Sequence, residues 1–359
     1  MSTLIALGWD EVWAAQFQAM VQPGETPARV SLEHNHVFRV LSAAGETLAE
    51  LAGRLRHHAA DRSEMPAVGD WVLMREALAE GARPQIRAIL PRRSVFSRKS
   101  AGHETKEQVV ASNIDTIFLV SALDQDFNAR RIERYLVMSH QSGAQPVIVL
   151  NKADLPVNIA RIVKDIDAVA LNVPVHVVQA KGANANVDSL RTYLTLGRTV
   201  ALLGSSGVGK STIINALAGQ DLLKTAAVRE SDGRGRHTSV HRQLLVLADG
   251  GVVIDTPGMR EIQLWDADEA LDQVFPEIEA HASDCRFRDC RHDTEPGCSV
   301  KAGVAAGTID ADRYDSFLKL QAERDAFIAR AAERGQIEQK RSARTGSKAM
   351  KALQKERGR

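Results

Sequence analysis

Aromatic side chains make up only 4% of this 359-residue chain. Base stacking as the main mode of nucleic-acid binding is therefore disfavoured, because every stacked base needs a ring. Net charge is almost absent too. The chain has 46 Lys and Arg against 45 Asp and Glu, so overall charge selects no partner and only local clusters can. Cysteine is scarce: there are three, all between positions 285 and 298. An odd, clustered set is no disulfide framework, and beside a His it suggests a metal site in a reducing compartment. No window approaches the roughly 18 uninterrupted apolar residues of a membrane span. The start, Met1 to Asp10, lacks a basic segment followed by a long apolar core. No secretory signal is expected, and the chain is expected in the cytoplasm, away from membranes.

What is present is organised around Gly204-Ser205-Ser206-Gly207-Val208-Gly209-Lys210-Ser211-Thr212. This is G-x-x-x-x-G-K-S, the phosphate-binding loop. The apolar run Thr199 to Leu203 before it reads as a strand. Thr212 to Gly219 after it reads as a helix with a glycine stop. The glycines let the backbone fold tightly, so its N–H groups point at phosphate oxygens, backed by the helix N-terminus. Lys210 is expected to reach the β- and γ-phosphates, and the Ser211 hydroxyl to ligate Mg²⁺.

A second motif, Asn151-Lys152-Ala153-Asp154, ends the apolar run Pro146 to Leu150. It has the N-K-x-D pattern of guanine-specific nucleotide binders. One carboxylate, Asp154, can accept from both guanine N1–H and the 2-amino group. Adenine offers no such pair, and sites of this kind reject a ligand lacking the group by about 10⁴. Asn151 is expected to hold the loop and reach the base edge, and the Lys152 stem to cover the ring. After the strand Val175 to Val178, Gln179-Ala180-Lys181-Gly182 is similar to the S-A-K element whose backbone N–H meets guanine O6. Gln179 stands there in place of a small residue.

Asp255-Thr256-Pro257-Gly258 closes the apolar run Val252 to Ile254 as D-x-x-G. Asp255 is expected on Mg²⁺ through water, and the Gly258 N–H on the γ-phosphate. Ser231 to Ser239 has the glycine and arginine content of a switch loop. Thr238, or Ser239 one step on, would supply a second Mg²⁺ hydroxyl. Met259 follows D-x-x-G and has no group fit to orient a water. His237, just before the switch threonine, is the candidate catalytic residue, against the alternative of a solvent-facing histidine.

The order of these motifs is unusual. Guanosine triphosphatases run phosphate loop, switch threonine, D-x-x-G, N-K-x-D, S-A-K. Here N-K-A-D at 151 precedes the phosphate loop at 204. The set is circularly permuted. Beyond it stand Cys285-x₄-Cys290-x-His292-x₅-Cys298. Three thiolates and one imidazole suit one closed, tetrahedral, structural Zn²⁺. A redox pair is disfavoured because no C-x-x-C occurs.

The rest of the chain frames these motifs. Residues 1–22 read as an amphipathic helix around Trp9, Val12, Trp13 and Phe17. Five short strands between about Ala28 and Lys99, expected over 30–32, 36–41, 50–55, 70–74 and 85–90, fit an oligonucleotide-binding (OB) β-barrel. Arg54, Arg56, His57, His58, Arg87, Arg92, Arg93, Arg98 and Lys99 could give it a nucleic-acid face, or a merely solvated one. Residues 100–113 read as a polar linker. Alternating strands and helices to about residue 265, with Ile132, Tyr135, Leu136 and Met138 inward on one helix, imply a mostly parallel sheet. The tail from Arg334 to Arg359 is basic and could lie on a nucleic-acid backbone, or be solvated with no partner.

A permuted GTPase with a β-barrel in front and this Cys₃His spacing behind resembles ribosome small-subunit-dependent GTPase A, the RsgA or YjeQ family. The likeness runs from about Ala28 to Leu320 and includes Pro66-Ala67-Val68-Gly69-Asp70-Trp71 and Gly235-Arg236-His237-Thr238. It implies an α/β fold: a circularly permuted P-loop GTPase domain, an N-terminal OB-type β-barrel and a C-terminal zinc-binding, mostly helical domain. The expected limits are 1–27 for the helix, 28–110 for the barrel, 111–275 for the GTPase, 276–335 for the zinc domain and 336–359 for the tail. It also implies GTP hydrolysis to GDP stimulated by the small ribosomal subunit, late in that subunit's maturation, by a monomer. The competing reading is a GTP-gated RNA-binding module whose hydrolysis is incidental.

Overall fold

The computed structural model describes residues 2–34, 37–58, 62–77, 81–99, 107–125, 127–182, 184–223, 242–255, 268–330 and 332–333. One eleven-stranded sheet runs through it, curled into a barrel at one end and open and mostly parallel at the other.

The barrel strands are β1 (Glu25–His34), β2 (Val37–Ser42), β3 (Gly45–Leu51), β4 (Trp71–Arg75) and β5 (Gln85–Ile89). They pair in the order β1-β2-β3-β5-β4, and β4 returns to β1 to close the ring, an OB-type arrangement. β1 is ten residues long and shifts register between Val30 and Leu32, so it serves two barrel neighbours and reaches beyond the β4 pairing. Val30, Phe38, Val40, Val72, Met74 and Ile86 fill the interior. On the other face of β4, Trp71 and Leu73 receive helices α1 (Ser2–Ala6) and α2 (Glu11–Met20) through Leu4, Leu7, Trp13 and Phe17.

Three expectations need correction here. The N-terminal helix is two helices, separated at Gly8, whose φ of 91° no helix accepts. Trp13 and Phe17, four residues apart, face the barrel, whereas Val12 lies on the adjoining face and is 55% exposed. The strand expected over 50–55 stops at Leu51, and α3 (Gly53–His58) takes over. The linker expected over 100–113 holds a strand: β7 (Glu107–Ser112) pairs antiparallel with β6 (Val95–Lys99).

The seam below the barrel explains the Gly69-Asp70-Trp71 stretch. Gly69 has φ 98°, and a Cβ there would lie 2.1 Å from the Ser112 carbonyl oxygen. Fully buried Asp70 accepts a two-pronged bond from Arg92 at 2.8 and 2.7 Å and another from the Ser112 hydroxyl. Buried Arg29 donates to the carbonyls of Leu7, Gly69 and Asn113, tying together the N-terminal helices, the barrel and the chain just past β7. Burial pushes its pKa down to about 10, which leaves it charged at neutral pH.

The open part contains β8 (Thr116–Ala122), α4 (Ala129–Ser142), β9 (Gln145–Asn151), α5 (Ile159–Asp167), β10 (Val175–Val177), β11 (Thr199–Gly204), α6 (Lys210–Ala218), β12 (Gln243–Val246) and β13 (Val252–Asp255). The order is β10-β9-β8-β11-β13-β12, parallel except for β12. Both faces are covered, which is why β8, β9 and β11 are apolar runs without alternation. β12, the outer strand, pairs with β1 at Gln243 and Leu32, and so joins the two parts of the sheet.

Helices α7 (Asp268–Val274), α8 (Pro276–Ala282), α9 (Ser299–Ala306) and α10 (311–330) pack back onto α4. The expected inward residues of α4, Ile132, Tyr135, Leu136 and Met138, are all buried. The joint is polar at its centre. Glu133 of α4, fully buried, receives Arg130 at 2.6 Å, Arg313 at 3.0 Å and the Ser316 hydroxyl. Arg313 also donates to Glu277 and to the Val274 carbonyl, with its guanidinium over the Phe275 ring. Among the described residues no helix is long and apolar enough to cross a membrane.

Candidate functional site: a nucleotide crevice and a metal cluster

The strand after β8 lies on one side of the sheet, at β9, and the strands after β11 lie on the other, at β13 and β12. The carboxyl ends of β8 and β11 thus flank a topological switch point, where open α/β sheets bind ligands. Four of the expected motifs meet at this edge. N-K-A-D follows β9, Ala180-Lys181 follows β10, the phosphate loop follows β11 and Asp255 ends β13.

The loop's glycines are required by its surroundings. A Cβ on Gly204 would lie 2.3 Å from the Val120 carbonyl oxygen. Gly209 has φ 95°, and a Cβ there would meet Asn151 Nδ2 at 2.3 Å. Helix α6 starts at Lys210, two residues earlier than its apolar pattern suggests, and ends at Gly219 in the left-handed conformation. Val208 is buried, while Ser206 and Gly207 are exposed and Ser205, Lys210, Ser211 and Thr212 are half-buried. The Lys210 ammonium donates to the carbonyls of Gly204 and Ser205, each at 2.8 Å.

Asn151 connects three motifs at once. It is 3% exposed, its Nδ2 donates to the Val208 carbonyl at 2.9 Å, and its Oδ1 accepts from the Ala180 N–H at 3.1 Å. The Ala180 amide is thereby occupied by Asn151. Lys152 sits at φ 66° and pairs with Asp124 at 2.8 Å. The Ala153 N–H donates to the Val178 carbonyl, and Asp154 is exposed in the turn. Gln179 donates to the Lys181 carbonyl. Asp255 is 7% exposed. His237, Thr238, Ser239, Gly258 and Met259, and the basic tail from Arg334, lie outside the described residues.

Sequence reasoning missed two members. Asp124 stands just past the apolar strand β8, a position at the carboxyl edge of a parallel sheet that could have flagged it. Arg131, in the first turn of α4, donates to the Ser205 hydroxyl at 3.0 Å. No local signal marks that contact.

The metal cluster is separate. The ligand atoms of Cys285, Cys290, His292 and Cys298 all lie within 4.8 Å of one another. Cys285 and Cys298 sulfurs are 3.9 Å apart, and His292 Nδ1 is 3.6 and 3.5 Å from them. Burial lowers the His292 pKa and favours the neutral, ligating imidazole. Cys298 caps α9 by accepting from the Lys301 N–H, and the Tyr314 hydroxyl holds the His292 carbonyl. His292 itself is at φ 63°. This donor set can hold a metal ion.

The barrel's basic residues are partly committed elsewhere. Arg87 pairs with Glu25, Arg92 with Asp70 and Arg93 with Asp10. Arg54 and Arg56 are exposed on α3. The side chains of His57, His58, Arg98 and Lys99 lie outside the described ones.

A guanine-type base motif carried ahead of a phosphate loop, both meeting at the switch point of this sheet, defines a circularly permuted P-loop GTPase. The RsgA GTPase family model matches residues 89–265. A relative from Opitutus terrae, named small ribosomal subunit biogenesis GTPase RsgA, is 48% identical over 339 residues, 92% of this chain and 92% of its own. One of the same name from Xanthomonas axonopodis pv. citri is 43% identical over 343 residues, 92% of this chain and 90% of its own. The crystal structure of YjeQ from Thermotoga maritima aligns with TM-score 0.61 and 26% identity, over 82% of this chain and 97% of that one. The chain belongs to the RsgA GTPase family, and it is a GTP-hydrolysing enzyme.

Proposed function

We propose that this GTPase binds the small ribosomal subunit through its ribosomal RNA, assists late maturation of that subunit, and hydrolyses GTP faster when bound to it. The relatives' names support the ribosomal part. The nucleotide part is carried by one observation, the two hydrogen bonds of Asn151, donated to the Val208 carbonyl and accepted from the Ala180 N–H, which tie base motif and phosphate loop together.

In this reading Asp154 accepts from N1–H and the 2-amino group of guanine, and the backbone at Ala180 and Lys181 lies along its O6 edge. Lys210 transfers its ammonium from the loop carbonyls to the β- and γ-phosphates, and the amides from Ser205 to Thr212 line the phosphates. Mg²⁺ bound with GTP would supply charge neutralisation at the phosphates. Ser211 and Asp255, hard oxygen donors at the same edge, would hold it, with Thr238 from the switch. His237 positions the attacking water, and the Gly258 N–H reads the γ-phosphate.

The cluster's ion is one structural Zn²⁺ held by Cys285, Cys290, His292 and Cys298. Two sulfurs about 2.3 Å from a tetrahedral ion stand about 3.8 Å apart, close to the 3.9 Å between Cys285 and Cys298. The protein acts in the cytoplasm as a monomer. Its divisions fall at about 28–110 for the barrel, whose first strand begins three residues earlier at Glu25, 111–275 for the GTPase and 276–335 for the zinc-binding helices. The test is GTP turnover with and without purified small subunits. Turnover is expected to rise by well over tenfold; an unchanged rate would leave a GTP-gated RNA-binding module as the better reading.

A further inference from the structure

Helix α4 carries a contact to the phosphate loop that the GTPase motifs do not account for. Its first turn is fixed by Asn128, whose side chain accepts from the N–H groups of Arg130 and Arg131 at 2.9 and 3.3 Å. From this turn the Arg131 guanidinium donates to the Ser205 hydroxyl at 3.0 Å, across 74 residues of sequence. Ser205 is the second residue of the phosphate loop. Its carbonyl oxygen accepts from Lys210 at 2.8 Å. Ser205 is therefore held on its side chain by one cation and on its backbone by another.

The helix that presents Arg131 is itself anchored. Arg130, Glu133 and Arg134 are spaced i, i+3, i+4 and share one flank. That flank meets the C-terminal helices through the buried Glu133 bonds to Arg313 and Ser316 and through Arg134 to Glu323 at 2.6 Å. Arg131 projects from the next position round. A guanidinium so mounted has little freedom to follow a moving loop.

We infer that Arg131 is a positioning residue for GTP: through the Ser205 hydroxyl it fixes the first corner of the phosphate loop. The inference rests on the reading of that loop as the GTP site. When the phosphates take the Lys210 ammonium, the carbonyls of Gly204 and Ser205 lose it. The bond from Arg131 then remains to hold that corner. The loop contains glycine at 204, 207 and 209, so its own backbone supplies little stiffness. Holding it in the binding shape beforehand removes an ordering cost from nucleotide binding. Arg131 contacts the loop and not the reacting atoms, so it favours bound substrate and transition state alike. Its loss acts on KM and leaves kcat.

The test uses the full, metal-loaded chain and fluorescent GDP and GTP analogues, with Arg131→Ala, Ser205→Ala and the double variant. A charge-assisted bond of this kind predicts a loss of about tenfold in affinity for both nucleotides in each single variant. The double variant is expected to bind no more weakly than the weaker single one, because both remove the same bond. Intrinsic turnover is expected to show KM raised by a similar factor with kcat changed less than about twofold. Ser205→Ala deletes one oxygen, so it reads the contact even if Arg131→Ala folds poorly. Additive losses, unchanged affinities, or a fall in kcat at constant KM would overturn the inference. If the unaltered chain failed to bind GTP saturably, the GTPase reading itself would fall, a result distinct from normal binding with indifferent variants.

Discussion

Arg313→Met tests what holds the C-terminal helices to the GTPase part. The Arg313 side chain is 8% exposed and that of Glu133 is 0% exposed. The change removes the bond to Glu133, that to Glu277 and those to the carbonyls of Val274 and Val169, while Met keeps much of the apolar packing on Phe275. Removing one partner of a buried ion pair costs about 3–5 kcal/mol, because the other charge stays buried. Arg130 and Ser316 remain on Glu133, which places the loss near ~3 kcal/mol, or about 10² in an opening equilibrium. Native-state hydrogen exchange reads this directly. The amides of Phe275, Ile278 and Glu279, bonded within the α7–α8 junction, are expected to lose about 10²-fold in protection. The pair Arg313→Met with Glu133→Leu, which leaves no fully buried carboxylate orphaned, is expected to recover part of it. Protection unchanged within about threefold, or a double variant worse than the single one, would refute the argument.

Asp154→Asn should weaken GTP and gain xanthine nucleotide, since Asn can donate to the 2-oxo group of xanthine; unchanged GTP affinity would remove Asp154 as the base reader. Cys290→Ala, or metal removal, should unfold the region near 280–300 and spare GTP binding, because zinc contributes on the order of 10 kcal/mol to such small sites; less than about half an equivalent of zinc in fresh protein would count against it. His237→Ala should keep nucleotide affinity within a few-fold and lose about 10²-fold of subunit-stimulated turnover; full stimulated turnover would point to a ribosomal group. Glu25→Gln should destabilise the barrel at neutral pH. Burial alone would raise the Glu25 pKa, but bonds from Arg87 and the Gln22 N–H, with the Arg75 charge, outweigh it and hold it below its usual value. The stability it contributes is therefore present above the unfolded pKa of about 4.3 and is lost as pH falls through the folded value, so the two proteins should converge in acid denaturation.

The parallel strands were legible because strands covered on both faces must be apolar throughout, and β8, β9 and β11 are. The site motifs were legible because phosphate and guanine each demand a short fixed spacing. What failed were short, half-polar elements. Arg54-Leu55-Arg56 alternates like a strand yet continues a helix from Gly53, and β7 has Gln and Ser among its valines, so that only its pairing with β6 makes it a strand. The bonds that assemble the site were illegible for another reason. Asn151 to Val208 spans 57 residues and Arg131 to Ser205 spans 74, and neither partner advertises the other.

The permuted strand order also sets a timetable. β8, β9 and β10 leave the ribosome before β11, yet β11 is the neighbour that covers the open edge of β8, from Thr116 to Thr199 roughly 80 residues later. At ordinary elongation rates that interval is on the order of ten seconds. Throughout it, the central strand of the finished sheet is an edge, apolar on both faces and with half its backbone unpaired, the kind of surface on which chains join one another. N-K-A-D is complete during this time, but the phosphate loop does not yet exist, so nucleotide cannot rescue the half-sheet. A nascent chain of this GTPase therefore carries an adhesive central edge until its phosphate-loop strand is made.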